Sequence, residues 1–179
     1  MDAEIMRNYQ AETALKDGRL LLIRSIRPDD KAALADAFRQ SSRESVYSRF
    51  LAYKKELTEE ELAYLTALDF IHHVGLFAIL PEIDPGRVVG IGRYIIIDQT
   101  PANRLAEIAL LVVDRYQAIG IGSALLKHLA LIAQKAGVRR FEAYILRENS
   151  HIRELFEHCG YRIHSEEEED LLKLCMNIN

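Results

Sequence analysis

The chain reads as a mixed α/β domain built on one central sheet. Its first part holds a hairpin and then helices; its second part holds consecutive strands and then a β-α-β-α-β-β order. Apolar runs such as "LAEIALLVV" suit a buried strand. A glycine pair, Gly120 and Gly122, joins that run to a helical pattern. The order is not the pure alternation of a doubly wound dinucleotide-binding sheet.

The elements follow from local chemistry. Residues 1–12 read as a loose N-terminal arm. "TALKDGRLLLIRSIR" reads as a hairpin turning at Asp17-Gly18, with a strand from Arg19 to Arg27. Pro28 and the acidic pair after it suit the start of a helix over Asp30 to Arg39. "SSRESVYSRF" predicts a short helix capped by Ser41 or Ser42. Thr58 to Glu61 is a capping box ahead of a helix to about Leu68. Strands are expected at "VGLFAIL", "RVVGIGRYIIID" and "LAEIALLVV", with a turn over Pro81 to Gly86. A helix from Ile121 to Ala136 ends at Gly137. After it come the strand "RRFEAYIL", a helix from Ser150 to His158 closed by Gly160, and the strand "YRIHS". The acidic Glu166–Asp170 reads as a solvated turn before the last strand, "LLKLCMNI".

At 179 residues this is a single domain, and one able to fold without staples. A net charge of -4 weighs against a nucleic-acid partner. Cys159 and Cys175 have neither metal-ligand nor CxxC spacing, so they read as reduced thiols in a cytoplasmic protein. The first residues lack the pattern of a signal peptide, and no apolar run is long enough to span a bilayer. No metal and no membrane partner are expected.

A glycine turn opening a helix can hold an anion. A Walker loop needs Lys-Ser/Thr after its last glycine, whereas Gly122 is followed by Ser123-Ala124. A dinucleotide fingerprint needs a small residue where Leu125 stands. The remaining readings are a plain strand-to-helix turn and a bare pyrophosphate cradle. In the cradle, backbone N–H groups of Gln117, Ala118, Ile119, Gly120, Ile121, Gly122 and Ser123 would point at the oxygens. Glu107 is the single charge in the strand before this turn. A buried carboxylate there would have a raised pKa suited to a general base. The alternative is that it reaches water or pairs with a cation such as Arg93.

"AEIALLVVDRYQAIGIGSALLKHLALIAQKAG" resembles the acyl-CoA-binding motif of the GNAT superfamily of N-acetyltransferases. "LRENSHIRELFEHCGYRI" resembles that family's second cofactor segment. The resemblance covers about Leu20 to Ile178, nearly the whole chain. "IRSIRPDDKAAL" and "SSRESVYSRFLAYKKELTEEELAYLTALDF" narrow it to the acetyltransferase domain of Pat-type bacterial protein-lysine acetyltransferases. Those proteins often fuse this domain to another; no such second domain is in this sequence.

The resemblance implies a mostly antiparallel sheet flanked by helices, with a cofactor cleft where strands four and five splay apart. It implies acetyl-CoA as co-substrate and a primary amine, a protein lysine first, as acceptor. Glu107 matches the family's general base. Leu111, Val112 and Val113 match the strand that pairs with the pantetheine arm, the N–H of Val112 or Val113 serving as oxyanion donor. Gln117 to Ser123 match the pyrophosphate loop, and Asn149 a pantetheine contact. Phe156 stands where many members place the tyrosine that protonates the leaving thiolate. Tyr161 is expected to pack as the family's aromatic after Gly160. Tyr47, Arg49 and Phe50 fall where that fold builds its acceptor groove, and equally suit core and helix surface. Exposed strand edges in that fold leave a homodimer open. A small-molecule N-acetyltransferase and a non-catalytic acyl-CoA-binding module are the rival classes. His72 and His73 read as a solvated loop pair, and His128, His151, His158 and His164 as surface.

Overall fold

A computed structural model describes residues 3–83, 85–100 and 103–178. Met1 and Asp2 of the expected arm, Asp84 of the expected turn, and Pro101, Ala102 and Asn179 lie outside the described residues. The helices are α1 (Ala3–Arg7), α2 (Lys31–Gln40), α3 (Arg43–Phe50), α4 (Glu59–Thr66), α5 (Ile121–Lys135) and α6 (Ser150–His158). The strands are β1 (Gln10–Ala14), β2 (Leu20–Ser25), β3 (His73–Ile79), β4 (Val88–Asp98), β5 (Leu105–Val112), β6 (Arg140–Leu146), β7 (Ile163–Glu168) and β8 (Leu171–Asn177). They form one sheet in the order β1-β2-β3-β4-β5-β6-β8-β7. Every pairing is antiparallel except β5 with β6. The expected mostly antiparallel α/β sheet is the one observed.

The caps are where the side chains call for them. Ser42 caps α3 by accepting from the Ser45 N–H at 3.1 Å. Thr58 and Glu61 form the capping box of α4. The sheet separates two helical layers. α5 lies on the face of Gly90 and Gly92, against which Ile121, Leu125 and Leu129 pack. α2, α3 and α4 cover the face of Ile91 and Arg93.

Gly92 sets how closely α5 approaches. A Cβ there would sit 2.8 Å from Leu129 Cδ1 and 2.9 Å from Leu110 Cδ2. Both atoms end flexible side chains, so Gly92→Ala is expected to fold but to lose about 1–3 kcal/mol by overpacking. A chemical denaturation curve with an unchanged midpoint would show instead that α5 yields freely.

Three expectations are corrected. The arm is not loose: its described residues form α1 and β1. Ser25 Oγ donates to Met6 O at 2.5 Å, and the Ser25 N–H to Tyr9 O at 3.0 Å. His128 on α5 bonds Tyr9 Oη at 2.5 Å and Thr13 Oγ1 at 2.9 Å, so it fastens this segment rather than lying on the surface. The acidic run is not a turn either. Glu166 and Glu168 lie in β7, on the face where Lys173 of β8 reaches them at 3.0 and 3.8 Å. The turn shrinks to Glu169-Asp170.

Candidate functional site

The site begins at the end of β5. There α5 starts at Gly120, which has φ +100 and no side-chain cap. Ala118 just before it also has a positive φ, of 60. The first N–H groups of a helix have no intrahelical partner, so those of Ile121, Gly122 and Ser123 open toward the turn. Their partial positive charge adds to the macrodipole of a 15-residue helix. Among the described residues no side chain caps this terminus, and its first turn holds no acidic residue. The Gln117 N–H is an exception to the expected cradle, because it donates to Asp114 O at 3.1 Å. The Gln117 side chain turns back as well, its Nε2 donating to Val112 O at 2.9 Å and to Ser45 Oγ at 3.1 Å. Asp114 accepts from the Ser42 N–H, Ser42 Oγ and Ser45 Oγ at 2.7, 2.6 and 2.9 Å, so α3 is docked onto the end of β5.

β5 and β6 pair only over Leu105–Glu107 and Arg140–Glu142. Beyond Glu107 the strands part and a wedge opens. Alternation decides which backbone groups face it. The Val113 N–H donates to Val89 O at 3.0 Å, so odd-numbered residues of this stretch turn toward β4. Arg104 O accepts from the Arg139 N–H at 2.8 Å, so even-numbered ones turn toward β6. Leu110 and Val112 therefore present their backbone groups to the wedge, and Leu111 and Val113 do not. This corrects the expected set: the Val113 N–H is already used, Leu111 opposes Ile91, and Leu110 was missed. No sequence signal identifies the open side of a strand before its partners are known.

Side chains obey the same alternation. Glu107 and Leu111 point to the face of α2–α4, along with Ile91 and Arg93. Glu107 is exposed, so the expectation of a buried carboxylate in an apolar strand fails. The strand's apolar residues are covered by helices on either face, and the coverage stops short of Glu107. Arg93 makes no ion pair with it within 4 Å; the cation whose charge it acts on is Arg49 of α3. Glu142 stands opposite Glu107 on β6 and is 9% exposed, with Lys173 Nζ 3.6 Å away. Sequence reading missed this second carboxylate, which only the β5–β6 register brings alongside.

Across the wedge, Asn149 precedes α6 with no cap hydrogen bond from its side chain. Phe156, at the position of the family's tyrosine, is 1% exposed and packs within the core. Tyr161 packs against the same core as expected. Among the described residues no group of three or more His, Cys, Asp or Glu could hold a metal ion. No helix there is long and apolar enough to cross a membrane.

His73 is half-buried rather than solvated, its ring tilted 44° against that of Tyr64 with the centroids 5.2 Å apart. Burial, with the charge of Arg93 next, pulls its pKa down to about 4. Burial lowers that of His128 as well. Both are thus held neutral in the fold. A depressed histidine contributes stability that is complete above the unfolded value of about 6.5 and is lost on acidification. The melting temperature is expected to fall as pH drops from 6.5 toward about 4, and His73→Gln to flatten part of that slope. Parallel pH profiles for the two proteins would remove His73 from the account.

Comparison with known proteins follows the geometry. The model of the "Acetyltransferase (GNAT) family" matches residues 36–161. Acetyltransferase PA5475 of Pseudomonas aeruginosa is 29% identical over 142 residues, covering 79% of this chain and 75% of that protein. Acetyltransferase Pat of Mycolicibacterium smegmatis is 30% identical over 146 residues, covering 82% of this chain but only 42% of its own length. Among solved structures, the GNAT domain of S. lividans PAT superposes with a TM-score of 0.86 at 33% identity, covering 94% of this chain and 96% of that one.

Proposed function

Because the chain belongs to the GNAT acetyltransferase family, and is by that membership an N-acetyltransferase, we propose that it moves an acetyl group from acetyl-CoA to a primary amine, a protein lysine side chain first, with Glu107 as general base. The observation that carries this reading is a set of three features along one strand, β5, and the turn that follows it. They are the Gly120 helix start, the backbone of Val112 at the β5–β6 wedge, and the exposed Glu107 on the same strand. The pyrophosphate of acetyl-CoA would lie on Ala118 to Ser123. The pantetheine arm would complete β5 along Leu110 and Val112, with Asn149 across the cleft. The likeness to Pat is what favours a protein lysine as the acceptor.

The chemistry is direct transfer. The acceptor's ammonium gives a proton to Glu107, by contact or through water. The amine nitrogen then bonds to the thioester carbon, and the Val112 N–H stabilises the oxyanion. The C–S bond breaks, CoA leaves as a thiolate, which is a competent leaving group without a dedicated acid, and the nitrogen gives its second proton to that thiolate or to water. The test is calorimetric titration with acetyl-CoA, CoA and ATP, followed by acetylation assays on lysine peptides and free amines. Binding of both CoA species but not ATP is expected, with acetyl transfer to amines. Absence of CoA binding would reduce the glycine turn to a turn and end the reading.

A further inference from the structure

Two cations on the Glu107 face make no ion pair among the described residues, though the charge of Glu107 acts on one of them, Arg49. Arg93 on β4 is 5% exposed, and its Nε meets no hydrogen-bond partner. Its polar neighbour is His73 Nε2, 3.5 Å from Nη1, which is no anion. Arg49 is half-buried at the end of α3, its guanidinium 5.0 Å from the centre of the Phe50 ring. Neither arginine makes an ion pair among the described residues. Both line a narrow cleft whose other walls are apolar, among them Phe50, Leu57, Ile91 and Leu111. Burial and the mutual repulsion of the two guanidiniums bring the Arg93 pKa down to about 9, which still leaves a cation at neutral pH.

Desolvating a guanidinium without a partner costs several kcal/mol, and two such groups beside each other cost more. Replacing them with hydrophobic residues would relieve that cost, so their presence in an apolar cleft points to an anion that arrives with a ligand. The pyrophosphate cradle does not supply it. That cradle lies at the Val112 end, opposite Gly90, whereas Arg93 lies three residues further along β4 and faces the other side of the sheet from α5. The molecule that approaches from the Arg93 side is the one whose amine reaches Glu107.

Resting on the transferase reading, we propose that the acceptor carries a carboxylate beside its amine, and that this carboxylate pairs with Arg93 and Arg49 while the amine faces Glu107. A planar fork of N–H donors suits a carboxylate in particular. The carboxylate is either that of a free amino acid or an acidic side chain next to a lysine in a peptide.

The experiment compares matched acceptors on the intact protein. Lysine is set against lysinamide, and a blocked Lys-Glu peptide against its Lys-Gln twin, each assayed for acetyl transfer and titrated calorimetrically into the CoA complex. The carboxylate member of at least one pair is expected to be favoured by about 10-fold or more in kcat/KM and in affinity. Which pair shows the preference identifies the source. In Arg93→Met the preference is expected to vanish while acetyl-CoA affinity is kept. Transfer to both members of each pair without preference would overturn the inference and leave the transferase reading standing. Loss of acetyl-CoA binding in Arg93→Met would overturn it too, assigning the arginine to the cofactor. Absence of transfer to any amine would count against the transferase reading alone, because the titration still decides the anion site: equal affinity for both twins overturns it. The wild-type comparison needs no variant, so a failure of Arg93→Met to fold does not protect the proposal.

Discussion

Glu107→Gln is expected to cut turnover on the order of 10²–10⁴-fold while leaving acetyl-CoA affinity nearly unchanged. The amide keeps the shape of the carboxylate and loses its ability to take a proton. The position explains why binding should survive. Glu107 projects to the α2–α4 face, whereas the cradle is formed by backbone at the opposite end of β5. Its exposure lets an amine or a water reach it directly. Its charge also acts on Arg49 of α3, so the change alters the electrostatics of the acceptor face without touching the cradle. Glu142 is the natural control. It stands beside Glu107 on the same face, but Lys173 lies 3.6 Å from it and Cys175 Sγ 3.8 Å. Glu142→Gln should therefore cost far less turnover than Glu107→Gln. Steady-state kinetics with a fixed amine and varied acetyl-CoA would decide. Unchanged turnover in Glu107→Gln removes it from the mechanism, and the larger loss in Glu142→Gln would move the base to β6.

What the sequence shows and what it hides divide along a physical line. Features set by one residue's own conformational demand were legible: Gly120 opening α5, the Thr58–Glu61 capping box, and the Asp17-Gly18 turn all declare themselves locally. The strand and helix order after α1 followed from period together with turn and cap residues. Features that need a partner were not. The exposure of Glu107 depends on where the helical cover ends. The choice of Leu110 and Val112 over Leu111 and Val113 depends on which side of β5 lacks a neighbour. His128 looks like a surface residue until β1 is placed beside α5, and Glu166 looks like a turn residue until Lys173 is placed opposite. Gly90 and Gly92 pass unremarked inside an expected strand, yet a Cβ at either would crowd Ile121, Leu125 or Leu129 of α5.

That N-terminus carries the second large effect. Gly120→Val is expected to lower acetyl-CoA affinity by about 100-fold or more, because φ +100 is open to glycine and strained for a β-branched residue. Crowding is not the cause. A Cβ at Gly120 would meet Leu15 Cδ2 at 3.7 Å, an ordinary contact. The loss instead comes from rotation of the backbone that aims the Ile121, Gly122 and Ser123 N–H groups. Two other glycines separate the possibilities. Gly18 has φ +85 in the hairpin turn, with nothing within 4 Å of its missing Cβ, so Gly18→Val carries comparable strain outside the cradle's own backbone. It should lose stability and keep affinity. Gly122 has ordinary helical backbone, and a Cβ there would lie 3.4 Å from Leu155 Cδ2, so Gly122→Ala should change the α6 contact and cost only modest affinity. Thermal melting and acetyl-CoA titration on the three variants give two independent readouts. If Gly120→Val loses stability as Gly18→Val does but binds acetyl-CoA as tightly as the parent, the positive φ serves the fold alone and the pyrophosphate must lie elsewhere. If affinity falls only in Gly120→Val, the conformation of that one residue is what turns the helix start into a binding site.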